Sequence, residues 1–223
     1  MKVNISVPDS LREITLGQYQ RFVKETEKEL SQDDLAQKMM EIFCSLNLES
    51  VVKIKFTDIN RITSGLNKLF ESKHPFIQRF KMNGIEYGFI PKLEDMSLGE
   101  YIDIDNTYTD WDTIHNAMAV LYRPVKQRLG EKYLIEDYKG YRETNMKGMP
   151  IDVVLGSMVF FWNLRKALLK ATLKFLERES KNLTSQQKEV LMKSGDGMEV
   201  FTAWLKGMSE DLIPSQDWDY TNV

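Results

Sequence analysis

Ile14-Thr15-Leu16-Gly17-Gln18-Tyr19, preceded by Val7-Pro8 and Leu11, returns along the chain as Met96-Ser97-Leu98-Gly99-Glu100-Tyr101, preceded by Ile90-Pro91 and Leu93. In each copy a hydroxyl residue stands three before Gln or Glu. That is the pattern of a capping box, in which side chain and backbone satisfy each other's orphan donors at the start of a helix. The pairs Ile14 with Tyr19 and Met96 with Tyr101 have the spacing of a hydrophobic staple. An apolar stretch ending at proline precedes each copy, which predicts one small unit of strand, turn and capped helix built twice, over about residues 2–30 and 85–106.

Working outward, residues 2–7 alternate crudely and predict a first strand, and Thr15 opens a helix reaching about Leu30. Ser31 caps a second helix, with Leu35, Met39, Ile42, Phe43 and Leu46 on one face, and a third follows Thr57. Val51, Val52, Ile54 and Phe56 between them suit either a strand or a helical turn. Phe76 to Ile90 predicts a hairpin turning at Asn83-Gly84. A two-stranded ribbon is marginal alone, so residues 2–7 or a later hairpin should join it. That later hairpin is expected around Leu129-Gly130, after a short helix over 98–105 and another, capped by Thr109-Asp110, carrying Ile114, Met118 and Leu121.

Pro150 introduces the longest helix, about 151–178, whose first half is apolar all round and is expected to be buried at the centre of the fold. Thr184 with Gln187 forms a third capping box, and a last amphipathic helix contains Val200, Phe201, Trp204 and Leu205. The fold class expected is α+β, mainly helical, with one or two small antiparallel sheets. A single globular domain, 1–208, precedes an acidic tail, 209–223.

At 223 residues, 42% hydrophobic and 28% charged, the chain can bury a sizeable core and falls among soluble globular proteins. A net charge of −3 argues against a generally basic nucleic-acid binder. The lone cysteine, Cys44, lies in an apolar run and reads as a packed thiol in a reducing compartment. Met1 to Val7 is too short and polar for a signal peptide, and the apolar stretch Ile151 to Leu164 is too short to span a bilayer. A cytosolic protein is expected.

No pattern of reactive residues stands out. His74 and His115 lie in different predicted elements without a cysteine partner, so a zinc site is not expected. Glu94, Asp95, Glu100, Asp103, Asp105, Asp110 and Asp112 crowd together without a Lys or Arg. Asp103-Ile104-Asp105-Asn106 lacks the later glycine and glutamate of a calcium loop. No phosphate-binding glycine loop or serine elbow occurs, and no cofactor is expected. Lys166, Lys170, Lys174 and Arg178 recur every four residues on one stripe of the long helix. They suit a solvated face or an acidic neighbour, such as segment 94–112 of the same or the next chain, better than a nucleic acid.

Gly88-Phe89-Ile90-Pro91, Ser97-Leu98-Gly99-Glu100-Tyr101-Ile102-Asp103, Asp110-Trp111 and His115-Asn116-Ala117-Met118-Ala119-Val120-Leu121-Tyr122-Arg123-Pro124 together give the chain a further character. It resembles the small acidic proteins encoded among the structural genes of tailed bacteriophages, described as tail-assembly chaperones or as minor virion proteins. Pro8 to Phe22, and Met149-Pro150-Ile151 leading into Phe160-Phe161, fit the same pattern.

The resemblance implies a protein without catalytic residues that binds other phage structural proteins: the tape-measure protein in the chaperone case, or tail and portal-region proteins. It would act in the host cytoplasm during assembly, and in the virion if retained as a connector, ring or minor capsid or tail component. A homo-oligomer, and a nucleic-acid-binding packaging factor using the basic stripe, are the other readings. Trp218, Tyr220, Trp111 and Tyr122 are candidate partner contacts, because aromatic residues dominate binding hot spots. Core packing is the ordinary alternative for Trp111 and Tyr122, and Lys166, Lys170, Lys174 and Arg178 complete the candidate set.

Overall fold

The structure is a computed structural model describing residues 5–130, 132–141 and 144–182. Both copies of the repeated sequence build the same local structure. A 3-10 turn, Leu11–Glu13 or Leu93–Asp95, ends in an extended residue, Ile14 or Met96. A complete capping box then opens helix α1 (Leu16–Thr26) or α5 (Leu98–Thr107). Three further helices lie between them: α2 (Gln32–Phe43), α3 (Leu48–Val51) and α4 (Phe56–Phe70). Ser31 caps α2 as the sequence predicts, and the ambiguous stretch begins as α3, capped by Asn47.

Strands β1 (Arg79–Met82), β2 (Ile85–Phe89), β3 (Tyr122–Leu129) and β4 (Lys132–Ile135) form one antiparallel sheet in the order β1-β2-β3-β4. Asn83 and Gly84 both take positive φ, 51° and 79°, as the tight turn between β1 and β2 demands. The protein is therefore α+β and mainly helical. The expected first strand does not join the sheet: residues 1–4 lie outside the described residues and Ile5 to Val7 are not strand. Strand β3 takes the free edge of β2 instead, and Ile5 packs with Met40, Cys44 and Val51.

Helix α6 (Ile114–Leu121) is nearly all buried and runs directly into β3. Its expected cap is differently made. Asp110 offers its backbone carbonyl to the Thr113 and Ile114 N–H groups, while its side chain accepts from Asp112. Helix α7 spans Ile151–Asn182. Among its described side chains, the buried ones are those of the opening turns, Ile151, Val153, Val154, Gly156 and Ser157, and Asn163 and Leu164 are already exposed, so within residues 151–164 the expectation of a buried first half holds for those turns alone. The chain divides into two compact units, the first ending at Val159 and the second beginning at Phe160. No described helix is long and apolar enough to cross a membrane.

Both histidines are held in the first unit. The His74 ring nitrogen bonds the Phe70 carbonyl at 3.1 Å, and His115 Nδ1 lies 3.1 Å from Gln20 Nε2. Burial pushes each imidazole below its ordinary value near 6.5, helped at His115 by Lys147. The folded state thus binds these protons less readily than the unfolded chain, so their contribution to stability is intact above 6.5 and is lost as pH falls below it, through the lower value each imidazole has in the fold. Thermal denaturation followed from about pH 7.5 to about pH 5 should show a falling midpoint. The fall should shrink when both are replaced by glutamine. Asp152, raised by burial, acts in the opposite sense nearer its ordinary 3.8.

Candidate protein-docking site

The acidic segment 94–112 turns part of its charge inward. Glu100, at the third position of α5, accepts from the Ser97 N–H and hydroxyl at 2.7 Å, and its other oxygen pairs with Arg123 on β3 at 2.7 Å. Both side chains are almost wholly covered. Asp103 accepts a hydrogen bond from the Tyr138 hydroxyl, which burial and this carboxylate push well above the usual phenol range. Asp112 pairs with Lys24 at 2.9 Å. Residues 103–106 are helical, so they form no cation loop, and no group of His, Cys, Asp and Glu suited to a metal occurs among the described residues.

What α5 turns outward is apolar. Leu98, Tyr101 and Ile102 are 74%, 60% and 47% exposed, and with Asp105 they stand at i, i+3, i+4 and i+7, a single stripe along the helix. Exposed Glu94 and Asp95 lie beside its start. A run of large apolar side chains rimmed by carboxylates is the surface expected of a protein-docking face.

The equivalent surface of α1 is covered within the chain, by the segment Asn145 to Ile151. The Leu16 N–H donates to the Met149 carbonyl at 2.7 Å, the Ile151 N–H donates to the Ile14 carbonyl at 2.8 Å, and Thr15 and Pro150 form an antiparallel bridge. Leu16 is fully buried in consequence. Tyr19 lies against Trp111, ring centroids 4.7 Å apart, and against Phe70 at 5.4 Å. Gly17 fits closely here: a Cβ would stand 3.1 Å from the Lys147 carbonyl oxygen, tight enough that the strap would have to give by a few tenths of an ångström. At α5 a Cβ on Gly99 would meet nothing within 4 Å. Neither the Leu98 N–H nor the Met96 carbonyl makes a backbone pair of this kind among the described residues.

Trp111 belongs to the aromatic cluster on α1 and is half-buried, with its carbonyl accepting from Gln20 Nε2. Tyr122 is no surface contact: it is fully buried, its hydroxyl donates to the Ile77 carbonyl at 2.8 Å, and Phe80 and Phe89 meet its ring edge-on. Lys166, Lys170 and Lys174 are exposed on α7, Arg178 lies on the same helix, and Trp218 and Tyr220 lie outside the described residues. Cys44 is buried, which raises its thiol pKa and keeps it protonated. Sequence reasoning passed over Leu98, Tyr101 and Ile102 as a site. The signal was present in the repeat itself, whose two copies cannot both be covered by one segment.

A second exposed feature is the β3–β4 arm. Strand β2 pairs with β3 only through Tyr122, Arg123 and Pro124, so the rest of β3 pairs with β4 alone. The register puts Leu129 and Leu134, 77% and 61% exposed, on one face of the arm. Tyr133, on the opposite face, reaches back to donate to the Phe89 carbonyl at 2.8 Å. No protein-family model, curated protein or solved structure matches the chain.

Proposed function

We propose that this protein is a non-enzymatic bacteriophage assembly factor of the tail-chaperone kind, which acts in the host cytoplasm by binding another phage structural protein through the exposed face of α5. The observation that carries this reading is the uncovered stripe of Leu98, Tyr101 and Ile102 beside exposed carboxylates. The likeness of residues 88–124 to phage morphogenesis proteins supplies the biological setting. A tape-measure protein, or a tail or portal-region protein, presenting a basic and apolar segment matches such a face in polarity and charge.

The test is co-expression of the chain with the products of the adjacent phage structural genes. One of them should co-purify stoichiometrically. Leu98→Asp with Tyr101→Asp should weaken the complex by about 30-fold or more, the scale of losing at least one hot-spot side chain, and leave the circular dichroism unchanged. A complex indifferent to these substitutions would remove α5 from the function.

The projecting β3–β4 arm, with Leu129 and Leu134 on one face, favours a second reading as a retained virion component. Mass spectrometry of purified particles separates the two: a chaperone is absent from the finished particle, and a connector or ring protein is present in fixed copy number.

A further inference from the structure

The duplicated unit supplies its own template for what α5 recognises. Residues Leu11 to Tyr19 align with Leu93 to Tyr101 position by position, through turn, extended residue, capping box and helix. In the first copy the occupant is an extended apolar-proline-apolar segment, Met149-Pro150-Ile151. Its backbone exchanges two hydrogen bonds with Ile14 and Leu16, and the same strap passes closely over Gly17 at Lys147. The second copy offers the same extended carbonyl at Met96, the same N–H at Leu98, and a glycine at the crossing point. Glycine is a weaker helix former than alanine, and no atom of this chain comes within 4 Å of a Cβ placed on Gly99 to call for it.

One position differs in charge. Arg12 faces Asp152, the residue after Ile151, at 3.6 Å, whereas its counterpart in the second copy is Glu94. We infer that the α5 face binds an extended apolar-Pro-apolar segment of another polypeptide, followed by Lys or Arg, paired with Met96 and Leu98 as Met149-Pro150-Ile151 is paired with Ile14 and Leu16, with the residues just before it crossing Gly99 as Lys147 crosses Gly17. This rests on the reading of α5 as the docking face and adds the recognition motif. A second copy of this chain is a poor occupant. Its matching segment is already held by α1 and ends in Asp152, which Glu94 would repel.

The probes are two fluorescein-labelled peptides, residues 145–152 of this chain as they stand and the same peptide with Asp152→Lys, titrated into the full chain. The lysine peptide should bind two- to five-fold more tightly, roughly what one half-exposed ion pair contributes. Glu94→Arg should invert that preference. Gly99→Leu, whose Cβ meets nothing within 4 Å in the free protein, should leave stability intact and weaken both peptides at least about tenfold. Absence of binding at millimolar peptide, or binding indifferent to Gly99→Leu, overturns the inference. So does an oligomer in sedimentation that Gly99→Leu dissociates, since the occupant would then be a second copy. Should the peptides fail while the co-purified phage complex still depends on Leu98 and Tyr101, the motif falls and the proposed function stands.

Discussion

Gly156→Ala is expected to destabilise the protein by about 3 kcal/mol, although the same change in an open helix is favourable. In α7 the added Cβ would collide with the Pro75 carbonyl oxygen and stand 3.1 Å from the Pro75 carbonyl carbon. These are backbone atoms, so no rotamer change relieves the clash. The Pro75 peptide cannot retreat freely, because buried His74 precedes it and the Phe76 ring packs edge-on against Phe89 at 4.9 Å. Gly65 in α4 is the internal control: a Cβ there meets nothing, and Gly65→Ala should gain roughly 0.5–1 kcal/mol. Urea denaturation of both variants checks the sign. Equal effects would mean that α7 does not press on the 74–76 loop.

Glu100→Ala is expected to cost about 3–5 kcal/mol, the scale for leaving a covered charge without its partner. Its carboxylate serves two structures at once, closing the capping box on Ser97 and pairing with Arg123 at 2.7 Å, where both side chains are under one-seventh exposed. Arg123 has little else to turn to, with its guanidinium 5.9 Å from the Tyr138 ring centroid and its Nε atom buried without a hydrogen-bond partner. The pair Glu100→Leu with Arg123→Met should recover most of that loss, because two apolar residues carry no desolvation debt. A double-mutant cycle in calorimetry reads the coupling. Additive losses would show that Glu100 acts through its cap alone.

What could be read from the chain is what short-range chemistry fixes. Thr15 with Gln18 and Ser97 with Glu100 form the boxes their spacing announces, Asn83-Gly84 turns the first hairpin, and Leu129-Gly130 turns the second. What could not be read depends on partners far along the chain. Leu16 and Leu98 occupy the same position in the same local sequence, yet one is fully buried and the other is 74% exposed. The difference is made by Met149-Pro150-Ile151, which reaches only one of them. Tyr122 reads as a contact residue or a core residue until Ile77, Phe80 and Phe89 close around it. The acidic cluster reads as a charged surface until Arg123 draws Glu100 inward, an event that no spacing within 94–112 foreshadows.

The bridge between Thr15 and Pro150 also sets a timetable. At roughly 5–20 residues per second, a ribosome needs about 7 to 27 seconds after making Thr15 before Pro150 exists. When Pro150 arrives, α1 and α5 have both been made and are rival landing places for one strap. Nascent chains that chose α5 would be topologically misthreaded, and the opposite charges of Arg12 and Glu94 toward Asp152 bias the choice. If α5 binds as proposed, the glutamate that shapes recognition in the finished molecule would act earlier as a gatekeeper against self-capture, keeping one cradle for the chain's own strap and leaving the other to a stranger.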